Sequence, residues 1–126
     1  MVYKIMEVKM SKSLEKFGEV FIGEVRDNTI ETFEKIFDGR MRGLTAENVR
    51  ERIANYDEQQ KEDILWIVSK TVDQCLYNML FLVEEHKEIE LLYDTENIVE
   101  ESDGLSGELY TEDGWIEKYS QKLYEG

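Results

Sequence analysis

The sequence predicts a mainly α-helical fold: a helical bundle around a long central helix (about 58–86), with a small irregular or short-strand acidic segment and a short C-terminal helix. Three observations carry this reading. Apolar residues recur at helical spacing from Ser13 to Asp38. A second, longer apolar stretch follows Asp57, and beyond His86 the chain turns acidic and locally rich in glycine. With 126 residues and 41% of them apolar, the chain fits a single domain, 1–126, with one core.

In the first element, Leu14, Phe17, Phe21, Val25, Phe33 and Ile36 form the stripe. Ser13 is placed as its N-cap, Glu15 complements the helix dipole in the first turn, and Gly39 is placed as its stop. Gly18 and Gly23 each weaken a helix by about 1 kcal/mol relative to alanine, and close packing or a bend is their ordinary explanation. Tyr3, Met6 and Met10 continue the stripe backwards, while Val2 to Val8 reads equally as a strand, so 1–12 stays open between the two. A short helix is expected from Ala46 to Tyr56, capped by Thr45, with Val49, Ile53 and Tyr56 on one face.

Asp57, three residues before Gln60, is a variant of the capping box and opens the central helix. Ile64, Leu65, Ile67, Val68, Val72, Cys75, Leu76, Met79, Leu80, Leu82 and Val83 surround much of its circumference, which calls for neighbours on several sides. Glu88 to Tyr93 reads as a brief strand or a last helical turn, Asp94 to Ser102 as a polar loop, and DGLSG at 103–107 as a turn. Asp113 can cap a final helix whose inner face holds Trp115, Ile116, Tyr119 and Leu123.

The charge is uneven. The whole chain carries 29 acids against 15 Lys and Arg, net −14. Residues 1–63 hold 14 acids and 11 bases, whereas between Glu84 and Glu117 13 acids face one base, Lys87. Such a field attracts basic partners and repels polyanions, so no nucleic acid is expected as a partner. Ile64 to Val83 is the strongest membrane candidate, but Lys70 and Asp73 sit in its middle, each costing about 2.5–3.5 kcal/mol at a bilayer centre. The N-terminus lacks the apolar run of a secretory signal, and the expectation is a cytoplasmic protein with no membrane association.

Specific chemistry is largely excluded by residue type. Cys75 and His86, the one thiol and the one imidazole, would stand about 16 Å apart along a common helix, too far for a nucleophile and its base. Cys75 reads as core and His86 as a helix C-terminal cap. A single histidine cannot build a di-iron bundle. The best calcium-loop window, Asp94 to Leu105, has Val99 where glycine is needed and Leu105 where glutamate is needed. No catalytic residue, metal site or cofactor is therefore expected.

Two candidate sites remain. The first is an acidic docking surface formed by Glu84, Glu85, Glu88, Glu90, Asp94 and Glu96, continued by Glu100, Glu101 and Asp103, with Tyr110 and Trp115 as aromatic anchors. The second is a polar pocket beside the central helix, lined by Lys70, Asp73, Tyr77 and Asn78, with Lys70 and Asp73 close enough to pair. A helical homo-oligomer joined through Trp66, Phe81 or Trp115 is a further alternative.

The segment SDGLSGELYTEDGWIEKYS, residues 102–120, resembles the C-terminal signature of small, acidic, uncharacterised bacterial proteins, and VDQCLYNMLFLVEEH resembles the helix preceding it. That resemblance covers about the C-terminal half and implies no activity. Small size, acidity and a helical core together also resemble immunity proteins, which neutralise basic toxin nucleases. The functional expectation is a non-enzymatic interaction module whose acidic C-terminal face docks a basic protein partner, as an inhibitor or immunity factor. An enzyme or small-ligand-binding protein using the polar pocket is the alternative.

Overall fold

The computed structural model describes residues 12–110 and 112–124, so the choice between helix and strand over 1–11 lies outside the described residues. The first helical stretch is one run in three parts: α1 (Lys12–Phe21), a π-helical turn (Ile22–Asp27) and α2 (Asn28–Phe37). Ser13 lies inside α1 and is not its cap. A π-turn bonds each N–H to a carbonyl five residues back, which inserts one residue and shifts every later side chain around the axis. A regular helix would bring Val25 inward after Leu14 and Phe21. Here Ile22, Arg26 and Asp27 are buried, and Val25 is 39% exposed.

The run ends where the glycine predicts. Gly39 has φ +82, a backbone region that favours glycine. Its N–H bonds the Ile36 carbonyl, and the Arg40 N–H reaches back to Lys35 at 2.8 Å, completing a Schellman cap. After Gly43, α3 (Leu44–Arg52) is shorter than the 46–56 expected, and Thr45 falls within its first turn instead of capping it. Arg50 donates to the Met41 carbonyl at 2.6 Å and to the Ile36 carbonyl at 3.3 Å, so α3 also satisfies the end of α2.

The spine, α4 (Glu58–Glu85), opens with the expected capping box. The Gln60 N–H donates to Asp57 at 2.8 Å and the Asp57 N–H donates to the Gln60 side chain at 2.9 Å. Ser69, Asp73, Leu76 and Leu80 form its buried face. The expectation of neighbours on several sides is corrected: Ile67 is 55% exposed, Met79 49% and Leu82 48%. Cys75, expected in the core, is exposed on the same outer side. The bundle packs against one side of α4, leaving more apolar residues on it than its neighbours cover.

Beyond α4 the chain makes a two-residue hairpin. β1 (Leu92–Tyr93) runs antiparallel to β2 (Glu96–Asn97), with Leu92 opposite Asn97 and Tyr93 opposite Glu96. Asp94 and Thr95, at φ +52 and +67, are the two left-handed residues that such a turn requires. Thr95 is β-branched and strained there. The segment expected as a polar loop thus contains β2 and also the fully buried Ile98. A 3₁₀ turn (Leu105–Leu109) and α5 (Trp115–Tyr119) follow, with Gly114, not Asp113, at the α5 N-cap.

One core gathers these pieces. Leu14, Phe21 and Ile22 meet Leu76 and Leu80 of α4, and Ile98, Leu105, Leu109 and Trp115 close the cluster. Trp115 has no exposed surface, and its ring meets Phe17 edge-on with centroids 5.7 Å apart. The indole lies directly on Gly18. Among the described residues, no helix is long and apolar enough to cross a membrane.

Gly18→Ala tests that contact. The added Cβ would stand 2.5 Å from the indole, so the ring must move and the core reopen. The expected loss is about 1–3 kcal/mol, read by urea denaturation followed through tryptophan emission. Gly23→Ala has open space around its Cβ and serves as the control, with stability unchanged or raised.

Candidate functional site

The π-turn places Arg26 and Asp27 side by side in the interior, and the fold answers them with groups from two distant segments. The Arg26 side chain is 1% exposed, with its Nε donating to Asp73 Oδ1 of α4 at 2.6 Å. Its Nη1 reaches Asp27 Oδ1 at 3.0 Å, Ser120 Oγ at 2.7 Å and the Lys122 carbonyl at 3.0 Å. Asp27 in turn accepts from the Ser120 hydroxyl at 2.8 Å and from the Gln121 N–H at 2.6 Å. One cation therefore compensates two buried carboxylates and ties the spine to the C-terminal tail.

Two further carboxylates of the first helical run hold the same tail. Glu15 accepts from Lys118, from the Tyr119 hydroxyl at 2.6 Å and from the Trp115 indole N–H at 3.4 Å. Glu34 accepts from Lys122 at 2.7 Å and from the Tyr124 hydroxyl. Burial alone would raise both carboxyls, but the hydrogen bonds from the lysines and tyrosines outweigh it and hold each below the usual range. The phenols move the other way. Burial, then the bond to Glu34, pushes Tyr124 up to about 12, and burial with the bond to Glu15 raises Tyr119 further.

Between the tail and the spine a cavity of about 380 Å³ opens, lined by Arg26, Lys70, Asp73, Tyr110, Glu117 and Tyr124, with Leu109, Ile116 and Leu123 as apolar wall. Lys70 and Asp73 do not pair with each other, contrary to the sequence reading. Lys70 Nζ donates to the Tyr124 carbonyl at 2.7 Å and lies 5.4 Å from the Trp66 ring centre. Asp73 has been taken by Arg26. Of the other two residues proposed for this pocket, Tyr77 stacks on Phe81 and meets Tyr110. Asn78 faces outward and accepts from Gln74. Of the four, Lys70 and Asp73 line this cavity, together with Arg26, which periodicity alone assigns to the outside.

At the other end of α4 lies an acidic hollow, also of about 380 Å³. Val83, Ile89 and Val99 supply its apolar part, with Glu84, Glu90 and Glu100 beside them and Lys87 and Asn97 completing the lining. Glu85, Glu88, Glu90, Asp94, Glu96, Glu100 and Asp103 are all exposed. Within the segment the one acid–base contact among the described residues brings His86 Nδ1 to 3.5 Å from Glu88, an ion pair only when the imidazole is protonated. Glu84 instead accepts from the Ser106 N–H and hydroxyl at 2.9 and 3.0 Å, bracing the 3₁₀ turn. Glu101 is half-buried, and desolvation, then the nearby Glu96, raises its carboxyl above the usual range. Its Oε2 has no hydrogen-bond partner among the described residues.

The two aromatic anchors separate. Tyr110 is 53% exposed, but it stands over Tyr77 at the polar cavity. Trp115 is wholly buried and is removed from the docking surface, and from the subunit contact, by its place in the core. The exposed apolar residues of the acidic segment are instead Ile89 and Leu92. Compared with family models, with curated proteins and with solved structures, the chain gives no significant match to any.

Two outcomes follow from the ion network. Arg26→Met leaves Asp27 and Asp73 buried without a cation, and should cost about 3–5 kcal/mol in urea denaturation. Acid acts through Glu15 and Glu34: their contribution is complete above the unfolded carboxyl range and is lost as pH falls through their lowered folded values. Stability measured at successive pH values below 4.5 should therefore decline less steeply for Glu15→Gln and Glu34→Gln than for the parent chain.

Proposed function

We propose that the protein is a non-enzymatic, cytoplasmic interaction module whose acidic face at the C-terminal end of α4 docks a basic protein, as an inhibitor or immunity factor does. The observation that supports this most is the concave hollow at Val83, Glu84, Ile89, Glu90, Val99 and Glu100, where three carboxylates outnumber the one cation, Lys87, in a segment whose carboxylates are largely unpaired among the described residues. A lysine or arginine side chain matches such a hollow, laying its methylene stem on the valines and isoleucine and its charge on the carboxylates. Exposed Ile89 and Leu92 add apolar area that a partner can desolvate. Four acids elsewhere are used internally: Glu15, Asp27, Asp73 and Glu34 all meet cations of the chain itself.

A second reading, a small-ligand-binding protein, draws support from the cavity at Arg26 and Lys70. It concerns a different part of α4 and is compatible with the first.

The docking reading is tested by affinity capture from the native cell at low and then moderate salt, with the parent chain and with Glu88→Lys, Glu90→Lys and Glu100→Lys combined. A basic protein should be retained at low salt by the parent and released by salt. The charge-reversed chain should bind it at least about tenfold more slowly, because steering is lost. Retention indifferent to both changes would overturn the reading.

A further inference from the structure

We infer that the cavity between α4 and the C-terminal tail binds a small zwitterion, a free amino acid with an apolar side chain, through Arg26 and Lys70 on its carboxylate and Asp73 on its ammonium. The inference rests on unspent hydrogen-bonding capacity. Arg26 engages Nε and Nη1, but Nη2 has no partner among the described residues, although the side chain is 1% exposed and borders the cavity. Among the described residues Asp73 accepts on Oδ1 alone, which leaves Oδ2 open. Lys70 spends one of three protons on the Tyr124 carbonyl. The Tyr110 hydroxyl has no partner among the described residues and can serve either sign.

Donors and acceptors thus face one half-open space, with Glu117 a second carboxylate on its wall. A plain anion would satisfy the cations and meet Asp73 and Glu117 with repulsion, and a plain cation would meet the reverse. A molecule carrying both charges a few ångströms apart meets neither penalty. The apolar wall of Leu109, Ile116 and Leu123 selects a hydrocarbon side chain. The volume, about 380 Å³, lies at the small end for ligand pockets and fits an amino acid better than a nucleotide or cofactor.

This site is independent of the acidic docking face, and its test involves no partner protein. The full chain is titrated calorimetrically with L-leucine and L-phenylalanine, and in parallel with N-acetyl-L-leucine, which lacks the ammonium, and L-leucinamide, which lacks the carboxylate. Saturable binding of the free amino acids, with both derivatives at least about tenfold weaker, is expected. Lys70→Met should weaken leucine about tenfold, and Tyr110→Phe severalfold, while circular dichroism shows both chains folded. No binding at millimolar concentration, equal binding of the derivatives, or full affinity in a folded Lys70→Met chain would each overturn the assignment.

Discussion

The structure depends on burying one guanidinium. Arg26 stands between two carboxylates from different elements, Asp27 and Asp73, and also holds the tail through Ser120 and the Lys122 carbonyl. Desolvating three charges is costly, and an all-apolar arrangement of the same volume could be at least as stable. What the ion network adds is direction: only one mutual placement of α4, the first helical run and the tail satisfies every member. Apolar contacts among Leu76, Leu80, Ile22 and Leu109 would tolerate sliding, whereas Arg26 does not.

That constraint also explains how the charge is partitioned. Three of the six acids of the first helical run are recruited inward: Glu15, Asp27 and Glu34 each bind the segment from Lys118 to Tyr124. The tail contributes Lys118 and Lys122, two of the four bases in the second half of the chain, and Lys70 holds its Tyr124 carbonyl. With these cations committed near the tail, the carboxylates from Glu85 to Asp103 have Lys87 and His86 as their local bases. The unbalanced face is therefore a consequence of where the cations are needed.

Much of the helical frame was legible because its signals are local. The Asp57–Gln60 box, the Gly39 stop and the long apolar period of α4 each depend on residues within a turn of one another. The π-turn was not legible, since a one-residue insertion leaves no mark in composition. It reverses the roles of Val25 and Arg26, so the sequence reading singled out Lys70 and Asp73 but not the buried Arg26 that bonds Asp73 beside them. An arginine followed by an aspartate between two apolar stripes, Phe21–Ile22 and Ile30, is the trace that a shifted period would have explained. Ile98 was missed for a related reason: in an acidic, irregular segment no period says which apolar residue turns inward, whereas Trp115, read both as inner face of the last helix and as docking anchor, is wholly buried.

The polar cavity and the acidic hollow share α4 yet remain electrically separate. From Lys70 and Asp73 to Val83 and Glu84 the helix rises about 15–20 Å, roughly twice the screening length of about 8–10 Å at physiological salt. Charge placed in one is largely screened at the other. Coupling would have to pass through packing, and the route exists: Tyr110 borders the cavity and adjoins Leu109, the last residue of the 3₁₀ turn, whose Ser106 is held by Glu84 at the hollow's edge. That path runs through Leu105 and Leu109, which are fully buried against Leu76 and Leu80. A turn fixed in a close-packed core transmits displacement poorly unless the core itself has a second arrangement. The fold thus carries two surfaces on one spine and gives each its own local support.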